Sequence, residues 1–192
     1  MELHNIPYKV SHRAVKYPRL EFKTGELLII LPLGHKPDIL LDKHKQWIIK
    51  QFDFIKGCLE GTKDKKLINR TEEEFRKLIH SLARKISKDL RVELNHIYFR
   101  SMRTKWASLS SAKNLTINKL IKYLPDYLIR YVIFHELAHI IEKRHNEKFW
   151  EIISRKFKNY QKMEREMFIY WFLVSKNFAD TSFRKGSYQM ES

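Results

Sequence analysis

Tyr131-Val132-Ile133-Phe134-His135-Glu136-Leu137-Ala138-His139-Ile140-Ile141-Glu142-Lys143-Arg144-His145 is the stretch on which the fold turns. It contains H-E-x-x-H, followed after five residues by a third histidine. On a helix, His135 and His139 stand one turn apart on the same face, so two imidazoles can reach one metal ion from a rigid support. Glu136 lies beside the first of them and can act as general base on a water at the metal's open position. The flanking residues are apolar on nearly every side, which predicts a buried helix. Two histidines and a glutamate on such a helix need partners, because burying polar groups unpaired is costly. A metal ion with its water supplies them.

A third ligand is then required. Glu142 shares the face, but seven residues of straight helix put it about 10 Å from His135. His145 reaches the same ion if the helix ends near 142–144 and the chain folds back. Glu164 or Glu166, further along, is the fallback. Three imidazoles favour zinc, with nickel, cobalt or iron as alternative occupants.

Downstream, Asn146 is placed to cap a helix over 147–159 that buries Phe149, Trp150, Ile153 and Phe157. A second helix over 161–176 carries an aromatic set that reads as core. The polar end, 177–192, is expected to be mobile. Upstream, Pro125 and Asp126 open the metal-site helix. Before it come three short strands: Ile97-Tyr98-Phe99, an alternating run over 105–110, and Leu115-Thr116-Ile117-Asn118, with Ala112-Lys113-Asn114 as the turn between the last two. Arg100, Arg103 and Lys105 gather at the first turn. They read first as a solvated hairpin, and second as an anion site.

Thr71-Glu72-Glu73-Glu74 is a capping box opening a helix to about Leu90, with Phe75, Leu78, Ile79, Leu82 and Ile86 on one stripe. Residues 60–70 are polar and form the candidate linker. A single helix is expected over 37–59, with Gly57 tolerated near its end. Residues 6–31 read as a small antiparallel sheet with a turn at Thr24-Gly25, and His4, His12 and His35 as loop residues. The expected fold class is therefore α+β. Strands and a helix over 1–60 pack on a hydrolase core over 71–176, and a tail follows over 177–192.

Composition bounds the rest. In 192 residues, Lys+Arg number 38 against Asp+Glu 22, a net charge of +16, so nucleic acid, nucleotides or anionic lipid are natural partners for the surface. The single cysteine, Cys58, rules out an internal disulfide and suits a reducing cytoplasm. No apolar run approaches a membrane span, and residues 1–10 lack the apolar core of a signal peptide.

The order of strands, helix, K-W-x-S hairpin and H-E-L-A-H-x5-H-x3-F-W resembles the YgjP-like metallopeptidase domain family over residues 8–163, most specifically over 106–150. The usual hairpin of that family reads W-G-S-C-S. Here it is Trp106-Ala107-Ser108-Leu109-Ser110, so the glycine and the thiol are absent. The resemblance implies a zincin-like core beside a short sheet, with His135, His139 and His145 as ligands and Glu136 as catalytic base. Zinc proteases with the same histidine spacing include SprT-like enzymes that act on DNA-bound proteins, which lends interest to the basic charge.

The expected activity is zinc-dependent hydrolysis of a peptide or protein. The edge near Trp106 and Ser108, with Arg103 and Lys105 beside it, is expected to hold the substrate by backbone pairing. Tyr123, Tyr127 and Tyr160 are candidate oxyanion donors. Two rival readings are a nucleotide hydrolase, with Arg100, Arg103 and Lys105 on phosphate, and a nucleic-acid-binding module whose zinc is structural.

Overall fold

The computed structural model describes residues 6–23 and 26–178. The expected turn at Thr24-Gly25, His4, and the tail beyond 178 lie outside the described residues. Two three-stranded sheets and six α-helices follow in the order β1 (Tyr8–His12), β2 (Arg19–Lys23), β3 (Glu26–Leu31), α1 (Asp38–Lys43), α2 (Lys45–Gly61), α3 (Glu72–Leu90), β4 (Ile97–Arg100), β5 (Ala107–Leu109), β6 (Leu115–Asn118), α4 (Asp126–Ala138), α5 (Glu147–Lys156) and α6 (Tyr160–Phe178). The class is α+β.

Both sheets are mixed, where antiparallel pairing was expected. β3 is central in the first sheet, parallel to β1 and antiparallel to β2. β6 is central in the second, parallel to β4 and antiparallel to β5. In each sheet the second and third strands pair with each other, and the first strand lies on the far side of the central one, which makes its pairing parallel. His12, expected in a loop, ends β1, and its Nε2 lies 2.9 Å from the His35 carbonyl.

The helix expected over 37–59 is two helices. His44 breaks it with φ −111° and ψ 14°, outside the helical region. α2 then runs two residues beyond the expected end. Gly57 and Gly61 sit one turn apart where α2 meets α6. An added Cβ would lie 2.9 Å from the Arg165 side chain at the first and 2.9 Å from Ile169 Cδ1 at the second. Gly61 therefore permits close approach of the two helices, whereas the Arg165 guanidinium could swing away from a methyl group at 57.

Two cores result. Phe75, Ile79, Leu115, Ile117, Leu128, Ile133, Leu137, Phe149 and Ile153 anchor the larger, and Leu27, Ile29, Leu31, Ile48 and Cys58 the smaller. α6 serves both, turning Met167, Tyr170 and Val174 to one and Ile169 and Phe172 to the other. The polar segment between them is pinned. Arg70 donates to the carbonyls of Lys122 and Leu124, each at 2.6 Å, and pairs with Asp126 at the start of α4. Lys65 pairs with Glu166, whose other oxygen accepts from the Tyr127 hydroxyl at 2.9 Å.

α3 begins as the sequence requires. Thr71 N donates to Glu74 Oε2 at 2.8 Å, and Glu74 N donates to Thr71 Oγ1 at 3.2 Å. The bond from the Thr71 backbone first, and then one from its hydroxyl to the same oxygen, hold the Glu74 carboxyl below its ordinary value of 4.5. Thr71→Ala is expected to cost about 1 kcal/mol, read as a lower urea midpoint at unchanged m. A depressed carboxyl contributes above its unfolded value and loses that contribution as the pH falls through its folded one. The stability gap between wild type and Glu74→Gln should therefore be widest above pH 4.5 and close in acid.

Candidate metal centre

α4 is buried along most of its length. Leu128, Ile129, Tyr131, Val132, Ile133, Phe134, Leu137 and Ala138 are all buried, which leaves His135 and Glu136 as the partly open positions near its end. The helix stops at Ala138, a turn before the expected end at 142–144. His139 follows with φ −66° and ψ −13°, still near helical geometry, so it keeps the face it shares with His135. No glycine makes the turn. Successive 3-10 type bonds do so instead: His139 N to Glu136 O at 3.2 Å, Ile140 N to Leu137 O at 3.0 Å and Ile141 N to Ala138 O at 2.9 Å. The chain then folds back through 142–146. Asn146 caps α5, its Oδ1 accepting from Phe149 N at 3.1 Å.

This reversal brings the third histidine onto the first two. One ring nitrogen from each of His135, His139 and His145 lies within 4.8 Å of the others. Nε2 of His135 and Nε2 of His145 are 3.0 Å apart. Phe149, fully buried, is the floor beneath all three. Its ring centroid is 4.9 Å from His135, 4.5 Å from His139 in a stacked arrangement, and 4.8 Å from His145. Trp150 is held between His145 and Tyr160, stacked on both at 5.7 and 4.8 Å. Periodicity marks Phe149 and Trp150 only as core; that they shape the cluster was not visible in the sequence.

The outward nitrogens of His139 and His135 face oxygens. His139 Nδ1 donates to the Glu142 carbonyl at 3.1 Å, and a carbonyl only accepts, so that nitrogen carries the proton and Nε2 keeps its lone pair. His135 Nδ1 lies 3.6 Å from Glu164 Oε1. The Tyr131 hydroxyl donates to the same oxygen. Burial pushes the Glu164 carboxyl up, but its contacts with His135 and Tyr131 outweigh that and leave it below the usual range. Burial first, and then the Glu164 charge, push the Tyr131 phenol far up, so it stays a donor. Three imidazoles so arranged fit a borderline-soft divalent ion, with room in the coordination shell for one further ligand.

The fallback carboxylates, Glu164 and Glu166, are elsewhere, and so is Glu142. Glu166 is committed to Lys65 and Tyr127. Glu164 lies on the Nδ1 side of His135, away from the convergent nitrogens. Glu142 turns back on its own loop, its Oε1 accepting from Arg144 N at 3.2 Å.

β5 is an edge strand packed beside α4. Trp106 O accepts from Asn118 N at 2.9 Å, and Ser110 N donates to Asn114 O at 3.0 Å. By the alternation of an antiparallel ladder, the backbone groups of Ala107 and Leu109 face away from β6. The Trp106 ring packs edge-on against Trp171 at 4.9 Å, and Ser108 is half-buried. Arg103 and Lys105 are exposed on the loop before β5. Arg100 is drawn over the Tyr98 ring at 5.5 Å. Buried Asn118 organises that loop, donating to Met102 O at 2.9 Å and Lys105 O at 2.8 Å while its Oδ1 accepts from Leu120 N. Its position at the end of a strand was the one available signal. Among the candidate oxyanion donors, Tyr127 is bonded to Glu166 and Tyr123 stacks on Phe178 at 4.4 Å. Tyr160 joins the aromatic stack that touches His145.

A buried helix presenting H-E-x-x-H beside a small mixed sheet, with a third imidazole folded onto it, defines a metal-dependent hydrolase. The chain belongs to the YgjP-like metallopeptidase domain family, whose profile matches residues 19–168. Two solved structures are similar to it. One is the metallopeptidase zymogen of Pyrococcus abyssi abylysin, at 18% identity and TM-score 0.43, covering 53% of this chain and 95% of that one. The other is the metallopeptidase zymogen of Methanocaldococcus jannaschii jannalysin, at 30% identity and TM-score 0.44, covering 50% and 96%. No curated protein matches the chain. Among the described residues no helix is long and apolar enough to cross a membrane.

Phe149→Ala removes the floor beneath the three rings. It is expected to cost about 3–5 kcal/mol in chemical denaturation.

Proposed function

We propose that the chain is a zinc peptidase in which His135, His139 and His145 hold the ion and Glu136 moves the proton. The observation that carries this reading is the convergence of three imidazole nitrogens within 4.8 Å at the end of one buried helix. When bound, zinc supplies Lewis-acid polarisation of a carbonyl and lowers the pKa of coordinated water toward neutrality. Glu136, adjacent to His135 and half-buried, takes a proton from the attacking water and delivers it to the leaving amine. The β5 edge offers Ala107 and Leu109 as backbone partners for an extended peptide, which Arg103 and Lys105 flank. Phe149 and Trp150 keep the three rings in place and wall the centre on its apolar side.

Family membership supports a peptide substrate over a phosphoanhydride, and Arg100 on Tyr98 leaves the expected phosphate cluster incomplete. A nucleic-acid partner rests on net charge alone.

Three measurements test the reading: zinc content, peptide turnover and phosphate release. Glu136→Gln should retain one zinc per chain by metal analysis and lose about 10²–10⁴-fold in turnover of a casein or peptide-library substrate; undiminished turnover would refute the base role. His139→Ala should abolish stoichiometric zinc, and His145→Ala should weaken it severely. Full zinc occupancy in either variant removes that ligand from the set. Release of phosphate from nucleoside triphosphates, with peptides left intact, would move the assignment to nucleotide hydrolysis.

A further inference from the structure

We propose that Glu164 and Tyr131 form a positioning relay that fixes the tautomer and orientation of His135, so that its Nε2 is the nitrogen presented to the metal. The inference rests on the ligand set proposed above.

Three features carry it. First, the two ring nitrogens of His135 face opposite chemistries. Nδ1 lies 3.6 Å from Glu164 Oε1, and Nε2 lies 3.0 Å from His145 Nε2. An ionised carboxylate only accepts, so it favours the proton on Nδ1 and leaves the lone pair on Nε2. Second, Tyr131 stands one turn before His135 on α4, with its ring 6.0 Å away, and donates its hydroxyl to the same Glu164 oxygen. Packing alone would be met by phenylalanine at this buried position; the hydroxyl adds a hold on the carboxylate. Third, the chain carries 38 lysines and arginines, yet none among the described residues pairs with Glu164. Glu166, two residues on, takes Lys65. The Glu164 carboxylate is thus directed to an imidazole.

The contrast with His139 sharpens the role. Its Nδ1 acceptor is the backbone carbonyl of Glu142, delivered by the local turn. The carboxylate facing His135 arrives from α6, far along the sequence, so the orientation of this ligand depends on docking α6 against α4. Carboxylate–imidazole–metal arrangements of this kind typically alter metal affinity without contacting the ion.

The test uses the full chain. Zinc is titrated against a chromophoric chelator, and imidazole ¹⁵N–¹H spectra are recorded with zinc bound, for wild type, Glu164→Ala, Glu164→Gln, Tyr131→Phe and His135→Ala. Glu164→Ala should weaken zinc about 10–100-fold at unchanged stoichiometry and displace the His135 Nδ1–H resonance. Glu164→Gln, which keeps an oxygen acceptor, should recover most of the affinity while shifting that resonance. Tyr131→Phe should shift it in the same direction by less. A purely structural role would lower stability and leave the resonance in place. Zinc affinity of Glu164→Ala within about twofold of wild type overturns the relay, since loss of such a partner typically costs at least tenfold. Should the alanine variant fail to fold, an unmoved Nδ1–H resonance in Glu164→Gln overturns it instead. His135→Ala separates the two proposals. Wild-type zinc affinity there defeats the ligand set, whereas loss of zinc there with no effect at Glu164 defeats the relay alone.

Discussion

Everything in this molecule is arranged around the difficulty of holding three imidazoles with their lone pairs converging. Nitrogens 3.0 Å apart, as in His135 and His145, do not favour one another unless something positive lies between them or one is protonated. The fold opposes their separation with apolar packing. Phe149 touches all three rings, and the Trp150–Tyr160 stack closes on His145 from outside. Fixing the rings beforehand reduces the side-chain ordering that metal binding must otherwise accomplish.

The scaffold follows from that need. α4 is surrounded by α3, β5, α5 and α6, so the base of the histidine cluster is the middle of the larger core. Its first turn is clamped by Arg70 and its flank by the Lys65–Glu166–Tyr127 cluster. These ties reach across a segment whose composition suggests a linker. α6 then joins this core to the smaller one formed by the first sheet and α2. Gly61 lets that contact close against Ile169. The amino-terminal elements therefore bear on the site indirectly, through the helix that carries Glu164.

The peptide-binding proposal and the metal proposal meet at β5. This strand is an edge, with outward backbone groups at Ala107 and Leu109, and it packs on the helix that bears the histidines. An exposed edge invites unwanted pairing, and a short strand of three residues flanked by Arg103 and Lys105 limits that hazard while leaving room for a substrate segment. Ala107 stands where the family usually has glycine. It is buried, so its methyl group points into the protein and leaves the open edge clear.

Much of this was legible in the sequence alone because it is local. H-E-x-x-H on an apolar background dictates a buried helix with two imidazoles on one face. The Thr71–Glu74 box and Asn146 set two helix starts through hydrogen bonds spanning three residues. Strand positions follow from alternation. What only the tertiary structure decided is long-range. Parallel pairing of β4 with β6 depends on a crossover, and no alternation pattern encodes strand direction. A periodic apolar stripe runs straight through both the break at His44 and the early end of α4, where 3-10 type bonds tighten the last turn. Glu164 and Glu166 look interchangeable in the chain. Two residues apart on α6, they point about 200° from each other around the helix, so one meets a histidine and the other a lysine. Sequence names the groups that can do chemistry, but the facing of each carboxylate is fixed only when the helices dock.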